Sequence, residues 1–232
     1  MKLSTIAKTS LALGILTTGV MTTYAQSADA EVQASVQNNI SVEELKTYYT
    51  KTPFELRNVN GERDGNKVNV IYRDILTEVD LLGNDKDRVS EELLKSKIDV
   101  FVVGEGTSRQ APTHSIGGIT KPNSKNYTDY VAKPQLDITK EDGQFKSIIG
   151  DGPHYIDKEE ISLKELDFKL RKKLIDKKLL YTDGKKNGKI VVKMNSGKEN
   201  DKYTFELDKK LQDHRMGDVI DSRKIEKITV SL

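Results

Sequence analysis

The segment from Lys158 to Tyr181 carries the strongest helix signal in this chain. Ser162 and Glu165 have the spacing of a capping box, in which the serine oxygen accepts a backbone N–H and the glutamate reaches back. Apolar side chains then recur at steps of three and four residues, which predicts one narrow stripe packed on a core. These side chains are Leu163, Leu166, Leu170 and Leu174. The segment therefore predicts a long amphipathic helix that covers a sheet.

Charged residues fill the rest of this predicted helix. Asp167 and Arg171 stand four residues apart, so we expect them to pair along the helix surface. Lysines crowd the C-terminal end, where cations interact favourably with the helix dipole. Acidic residues interleave with Lys169, Lys172 and Lys173, which favours a solvated face over an anion-binding patch.

The same segment carries the pattern of a known toxin signature. The residues that match it are Lys158, Ile161, Leu166, Asp167, Arg171, Leu174, Leu180 and Tyr181. The chain thereby resembles the staphylococcal and streptococcal superantigen toxins, and ISLKELDFKLRKKLI is most similar to their superantigen-like branch. The resemblance implies an α+β, mostly β architecture, with an N-terminal OB-fold β-barrel and a C-terminal β-grasp domain. It implies a fold and a lineage, not a reaction.

Residues 1–30 have the composition of a signal peptide. Lys2 and Lys8 form a positive start, an apolar run follows, and Ala28-Asp29-Ala30 is a small-x-small cleavage site. We predict cleavage after Ala30 and secretion to the extracellular medium. The apolar run is too short to span a bilayer, so no membrane insertion is expected.

Charge and cysteine content exclude several functions. The chain has 38 Lys and Arg against 36 Asp and Glu, so no global field attracts nucleic acid. It contains no cysteine, which excludes disulfides, thiol nucleophiles and metal–thiolate sites. Many true superantigens carry a disulfide loop, and this chain departs from them in that respect.

The N-terminal half has the pattern of short strands. Ser41 and Glu44 form another capping box, which predicts a short helix to about Tyr49. Strand-like runs follow at 54–59, 67–72, 77–82 and 98–103. The last run is the most apolar and is expected to be buried on both faces. Close spacing without a long helix predicts a small β-barrel, and we assign residues 31–130 to the N-terminal segment, helix and OB-fold.

A glycine pair lies between β-branched residues in Ser115-Ile-Gly-Gly-Ile-Thr120. Such a pair marks a tight bend or a close approach of two backbones. It resembles the second signature of the toxin family, with Ile116 where the toxins usually carry tyrosine. No Lys-Ser/Thr follows the glycines, so a phosphate-binding loop is not expected. The polar stretch from Thr120 to Lys133 reads as a connecting loop with the domain boundary near its end.

The C-terminal half has a strand pattern around the strong helix. Strands are predicted at 135–139, 145–149, 189–194, 202–207 and 224–230, with a hairpin turn at 195–197. One helix against a mixed sheet is α+β packing. We assign residues 131–232 to the β-grasp domain.

No catalytic constellation is apparent in the sequence. The three histidines, His114, His154 and His214, lie far apart, and none has a partner at metal-ligand spacing. Neither a nucleophile elbow nor a β-lactamase-type motif occurs. We therefore predict a protein that is not an enzyme and needs neither a cofactor nor a metal.

The segment Tyr203–Asp218 has the composition of a polar binding site. Thr204 and Glu206 alternate on one strand face, with the intervening apolar residues facing the core. Lys209 and Arg215 lie in the connection that follows. Arginine can hold a carboxylate with two parallel hydrogen bonds, and a sugar ring needs donors and acceptors for its hydroxyls. The alternative is a solvated strand and loop in which Glu206 and Lys209 pair with each other.

These four residues resemble the site of one superantigen-like subgroup that binds sialyl Lewis X-type glycans on host leukocyte glycoproteins. The resemblance implies Thr204, Glu206, Lys209 and Arg215 as glycan contacts in a secreted immune-evasion protein. An alternative is a decoy that binds a host immune or matrix protein without glycan recognition. T-cell superantigenicity ranks last, because this branch generally lacks it. Self-association into a homodimer is left open.

Overall fold

A computed structural model describes residues 40–106, 112–142, 145–150, 152–182, 184, 186–198 and 200–232. The described residues belong to one compact unit. The predicted signal peptide and its cleavage site lie outside them. No helix in the described ranges is long and apolar enough to cross a membrane.

The described residues contain four α-helices and fourteen strands. The helices are α1 (Val42–Tyr49), α2 (Asp85–Arg88), α3 (Glu91–Leu94) and α4 (Leu163–Asp176). The strands before α4 are β1 (Phe54–Val59), β2 (Glu62–Asp64), β3 (Lys67–Tyr72), β4 (Ile75–Asp80), β5 (Ile98–Val102), β6 (Thr113–Ile116), β7 (Ile119–Thr120), β8 (Gln135–Asp142), β9 (Phe145–Gly150) and β10 (Glu160–Ser162). Those after it are β11 (Lys189–Met194), β12 (Lys202–Glu206), β13 (Val219–Asp221) and β14 (Ile225–Ser231).

The N-terminal half is built from two sheets. Strands pair in the orders β1-β5-β7 and β2-β3-β4-β6, and β6 runs parallel to β4. The strand pattern predicts a small β-barrel, and within the described ranges the strands form these two sheets without closing into one barrel. Strand β5 is buried at every position, as its apolar sequence predicts. The cluster between the sheets is formed by Leu56, Val59, Val68, Val70, Val79, Leu81, Val89, Ile98, Val100, Val102 and Ile119.

The C-terminal half is a mixed five-stranded sheet against α4. The strand order is β12-β11-β14-β8-β9, with β14 and β8 parallel and the other pairs antiparallel. The alternation of apolar residues puts Ile190, Val192 and Phe205 on the inner face, where they are buried. The turn between β11 and β12 lies where the sequence predicts a hairpin.

Helix α4 is shorter and more deeply buried than the sequence predicts. It begins at Leu163, directly after the predicted cap residue Ser162, and the preceding residues Glu160–Ser162 pair with β13 as a strand. It ends at Asp176. Buried side chains surround most of the helix instead of forming one stripe, because the five-stranded sheet, the N-terminal half and α1 all pack on it.

The capping box at the start of α4 is half formed. Ser162 Oγ accepts the Glu165 N–H at 3.1 Å. The Glu165 carboxylate does not reach back, because it accepts from Lys158 Nζ at 2.9 Å and Lys169 Nζ at 2.7 Å. The Glu165 carboxylate is buried, and a hydrogen bond from a charged ammonium group is stronger than one from a backbone N–H, so the two lysines outcompete that N–H for the carboxylate. At α1, by contrast, both bonds of the capping box are present.

Helix α1 packs on the core of the C-terminal half. Leu45, Tyr48 and Tyr49 belong to the same buried cluster as α4 and the five-stranded sheet. The ring of Tyr49 packs at a tilted angle against that of Phe168 in α4, with ring centroids 5.7 Å apart. The two halves therefore share a core at this point, and the proposed division near residue 130 remains a prediction.

Candidate functional site

The candidate site lies on the edge strand β12 and the segment that follows it. Phe205 and Leu207 point into the core and are almost fully buried, as the alternation predicts. Thr204 and Glu206 lie on the opposite face, and Glu206 is exposed. Asp213–Arg215 form a short 3₁₀ helix. The strand thus anchors its apolar side and presents its polar side to solvent.

Glu206 and Lys209 form an ion pair. The Glu206 side chain is 52% exposed and that of Lys209 is 18% exposed, so the carboxylate is the more accessible partner. This ion pair is what the alternative interpretation, a solvated strand and loop without a ligand, predicts for Glu206 and Lys209. It also holds a carboxylate and an ammonium side by side, which is a suitable donor and acceptor set for sugar hydroxyls.

Arg215 folds back onto β12. Its Nη1 donates to the Thr204 carbonyl oxygen at 3.1 Å and to Gln212 Oε1 at 3.0 Å. The guanidinium carbon lies 5.9 Å from the centre of the Phe205 ring. Both acceptors are neutral oxygens, so these bonds orient the guanidinium without compensating its charge.

The structure thus brings the four predicted residues together as two adjacent pairs. Thr204 contacts Arg215 through its backbone, which leaves its hydroxyl out of that bond. Thr204 and Glu206 are two positions apart on one strand face, a separation of about 7 Å. The pairs therefore lie side by side along the edge of the sheet.

Buried residues of the signature segment hold this edge in place. Arg171 is fully buried and donates to the carbonyl oxygens of Glu206 at 3.0 Å, Leu207 at 3.3 Å and Lys209 at 3.0 Å. Tyr181 Oη donates to the same Leu207 oxygen at 2.8 Å. The backbone on both sides of the Glu206–Lys209 pair is therefore fixed from inside the protein.

The charge of Arg171 is balanced within the core. Asp167 Oδ1 accepts from Arg171 Nε at 2.7 Å, and Asp167 Oδ2 accepts from Tyr49 Oη at 2.7 Å. Burial alone would lower the Arg171 pKa, but Asp167 and two tyrosines raise the pKa above its usual value. The pair predicted for the helix surface is thus formed, but it lies in the core.

Two contributors were missed in the sequence. Gln212 orients Arg215, and only the folded 3₁₀ turn brings its amide into reach. Lys189 of β11 lies opposite Glu206 in the antiparallel register and is exposed. The strand pattern predicted the β11–β12 hairpin, so this cross-strand position could have been found by counting from its turn.

The described part of the chain contains no group of three or more His, Cys, Asp or Glu that could hold a metal ion. His154 is buried, and burial lowers its pKa to about 4, so it is neutral at physiological pH. His114 lies beside Glu78, with Nδ1 and the carboxylate 3.2 Å apart, on the OB-fold half. His154 is thus a buried neutral side chain, whereas His114 is placed beside a carboxylate.

Two domain families define the class of the protein. Residues 43–123 match the staphylococcal superantigen-like OB-fold domain, and residues 127–232 match the staphylococcal/streptococcal toxin β-grasp domain. The chain belongs to the staphylococcal superantigen-like protein family.

Individual relatives and solved structures are similar along most of the chain. Superantigen-like protein 11 of Staphylococcus aureus (strain Newman) is 49% identical over 232 residues, covering all of both chains. Staphylococcal superantigen-like 5 of the same strain is 42% identical over 238 residues, again covering both chains completely. The crystal structure of superantigen-like protein SSL5 complexed with sialyl Lewis X has a TM-score of 0.70 and 41% identity, covering 82% of this chain and 99% of that one. Another crystal structure, of a superantigen-like protein from Staphylococcus aureus in complex with sialyl Lewis X, has a TM-score of 0.70 and 40% identity, covering 82% of this chain and 98% of that one.

Proposed function

We propose that this protein is a secreted, non-enzymatic binding protein that captures sialyl Lewis X-type glycans on host leukocyte glycoproteins and so contributes to immune evasion. Thr204, Glu206, Lys209 and Arg215 are the proposed contacts. The proposal includes a signal peptide at 1–30, an OB-fold unit within 31–130 and a β-grasp domain at 131–232.

The orientation of Arg215 carries this proposal. Its guanidinium is fixed by two neutral oxygens beside an accessible strand edge. Sialic acid supplies a carboxylate, and a charge-assisted bond to arginine is stronger than a bond between neutral groups. Two solved relatives at 40% and 41% identity are complexes with sialyl Lewis X. The Thr204 hydroxyl and the Glu206–Lys209 pair then form hydrogen bonds with the neutral sugar hydroxyls.

The experiment measures binding of the protein to a surface that carries sialyl Lewis X. We expect Arg215→Ala to weaken binding at least about tenfold, since a hydrogen bond to a charged group contributes roughly 1.5–3 kcal/mol. Thr204→Ala should weaken it less, because the Arg215 anchor on the Thr204 backbone stays intact. The matched control is Arg223→Ala, which removes a half-exposed arginine paired with Asp221 on another segment. Equal binding by the Arg215 and Arg223 variants would refute the proposed site.

A second candidate function rests on an exposed apolar hairpin. Ile71 and Ile75 at the β3–β4 tip are 72% and 57% exposed, and Tyr72 and Leu76 beside them are 40% and 36% exposed. Contiguous exposed apolar residues often mark protein interaction sites. The OB-fold half is therefore the candidate surface for a host protein partner in the decoy alternative.

Sialidase treatment of leukocytes separates the two functions. Glycan capture predicts that cell binding is lost after treatment, whereas a protein decoy binds treated and untreated cells equally. Ile75→Ser should then reduce only the sialidase-resistant binding. Light scattering of the purified protein tests independently whether it forms a homodimer.

A further inference from the structure

A cleft of about 680 Å³ opens between the two halves, away from the candidate glycan site. One wall comes from the OB-fold half, around α2, α3 and the residues just before β5. The other wall comes from the start of the connecting loop, from β10 and from β13. The cleft is in the size range of small-molecule sites, which is roughly 300–1,000 Å³.

Three cationic side chains line this cleft: Arg88, Lys97 and Lys121. They come from separate places in the chain, namely the end of α2, the turn before β5 and the residue after β7. Lys97 and Lys121 are both exposed, so neither ammonium group must leave water to reach its present position. The fold therefore brings together three positive charges that are far apart in sequence.

The carboxylates of Glu92 and Glu160 also line the cleft, and each nearby carboxylate has a cationic partner, although Asp85 Oδ2 is buried without a hydrogen-bond partner among the described residues. Asp85, fully buried, pairs with Arg88. Glu92 pairs with Lys95, whose side chain is 72% exposed. Glu160 accepts the Lys121 backbone N–H at 3.0 Å, while its other oxygen is 4.0 Å from Lys121 Nζ. The ammonium groups of Lys97 and Lys121 are thus only weakly compensated in the cleft.

Arg88 adds donors that the protein does not satisfy. Its Nη2 donates to Asp85 and to the Ile119 carbonyl oxygen. Its Nε is buried and has no hydrogen-bond partner among the described residues, and the buried Thr120 Oγ1 next to Lys121 likewise has none. Buried polar atoms are almost always hydrogen-bonded, so unpaired ones beside a charged cleft indicate a place for ligand oxygens.

From this arrangement we infer that the cleft binds the oxyanion group, carboxylate or sulfate, of a small acidic molecule. Arg88, Lys97 and Lys121 line the cleft, and the buried Thr120 directly precedes Lys121 in the chain. The volume accommodates a molecule larger than a single ion, such as an acidic monosaccharide. This site is separate from Thr204–Arg215 and does not depend on the proposed glycan capture.

The test titrates the isotope-labelled protein with sodium sulfate and, in a separate arm, with N-acetylneuraminic acid, and follows backbone amide signals by NMR. Sodium chloride at matched ionic strength removes general screening effects. We expect saturable shifts at residues 88–97 and 119–121 in at least one arm. The arm that saturates at lower concentration identifies sulfate or carboxylate as the preferred group.

Matched variants decide whether the cleft is responsible. The double variant Lys97→Ala, Lys121→Ala should weaken binding at least about tenfold, because it removes two charge-assisted contacts. Lys86→Ala is the control, because it removes an exposed lysine of α2 that does not line the cleft. Both changes are at exposed side chains, so the dispersed spectrum of the folded protein should persist.

Three results would overturn the inference. Shifts that rise linearly without saturation in both arms would show that no site exists. Equal affinities of the double variant and the wild type would exclude the two lysines. Shifts confined to residues 203–218 and abolished by Arg215→Ala would assign the binding to the glycan site instead.

Discussion

At the scale of single residues, Arg171 explains why a helix signature and a distant edge strand belong to one site. Its guanidinium is the only one in the described residues that donates to the three backbone carbonyls of Glu206, Leu207 and Lys209. The sequence predicted the Asp167–Arg171 pair from its spacing. The burial of this pair could not be predicted, because an i,i+4 pair has the same spacing on a solvent-exposed helix face and on a buried one.

Removal of Arg171 should therefore destabilise the fold far more than removal of one partner of a solvent-exposed i,i+4 ion pair. We expect Arg171→Met to lower the free energy of unfolding by about 3–5 kcal/mol, because it leaves buried Asp167 without its counter-charge. Lys172→Met is the matched control, since Lys172 pairs with exposed Asp176 at the same spacing. That change should cost less than about 1 kcal/mol. Urea unfolding measures both, and equal losses would contradict the assignment.

Lys164 provides a pH prediction at the same scale. It is fully buried, its Nζ donates to Ser115 Oγ at 2.7 Å and to the Ile116 oxygen at 2.6 Å, and burial lowers its pKa to about 7. In the unfolded chain its pKa is near 10.5, so between these values the unfolded state binds more protons. Stability should therefore rise with pH from about 7 to 9, by at most roughly 1.4 kcal/mol per pH unit.

The variant Lys164→Met should flatten this rise. Urea unfolding at pH 7, 8 and 9 gives the slope for each protein, and the slope is compared because the variant also loses two hydrogen bonds. Buried Tyr48 and Tyr49 titrate above this window, since burial raises the pKa of both. A wild-type stability that stays constant or falls across the window would contradict the prediction.

At the scale of elements, the glycine pair shows what a sequence can and cannot specify. Gly117 and Gly118 both have positive φ, as the predicted bend between β6 and β7 requires. The sequence also suggested close backbone approach, and a Cβ on Gly118 would lie 2.5 Å from the Phe101 oxygen. What it could not specify is the neighbour, because Phe101 is on β5, a strand distant in sequence that folding places beside the turn.

Alanine substitution at this turn should separate the cost of a positive φ angle from the cost of a steric clash between the added Cβ and the backbone. Gly118→Ala adds a methyl group at φ +87° against the Phe101 carbonyl, whereas Gly65→Ala adds one at φ +58° with nothing within 4 Å. The left-handed backbone costs roughly 1–2 kcal/mol at either position. We expect Gly118→Ala to cost at least about 1 kcal/mol more, as overpacking typically does. Thermal unfolding compares the two variants, and a smaller loss at Gly118 would be inconsistent with the contact.

The boundaries of α4 show a second limit at this scale. The sequence pattern predicted the helix and its serine cap. The pattern did not predict that Glu165 would pair with Lys158 and Lys169, because that choice depends on how deeply the carboxylate is buried. Local spacing thus identifies the helix, and the packing around it decides which charged groups meet.

At the scale of the whole molecule, a chain of ion pairs joins the two halves. Lys169 of α4 contacts Glu165 on its own helix at 2.7 Å and Glu55 of β1 at 2.8 Å. Glu55 in turn contacts Arg57 at 2.9 Å, and Arg57 contacts Asp157 at the same distance. The sequence indicated a solvated lysine face on this helix, and Lys169 departs from it because the OB-fold half packs there.

This bridge predicts energetic coupling between residues that are distant in sequence. In a double-mutant cycle, Glu55→Gln and Lys169→Met should couple by about 0.5–1.5 kcal/mol, since the contact is half-buried and Lys169 serves two carboxylates. The control cycle pairs Glu55→Gln with Lys172→Met, a lysine on the same helix that binds Asp176, and should be additive within about 0.5 kcal/mol. The coupling should weaken in about 1 M salt, where the screening length falls to roughly 3 Å. Additive losses in the Glu55–Lys169 cycle at low salt would mean that shared apolar packing, not this ion pair, holds the halves together.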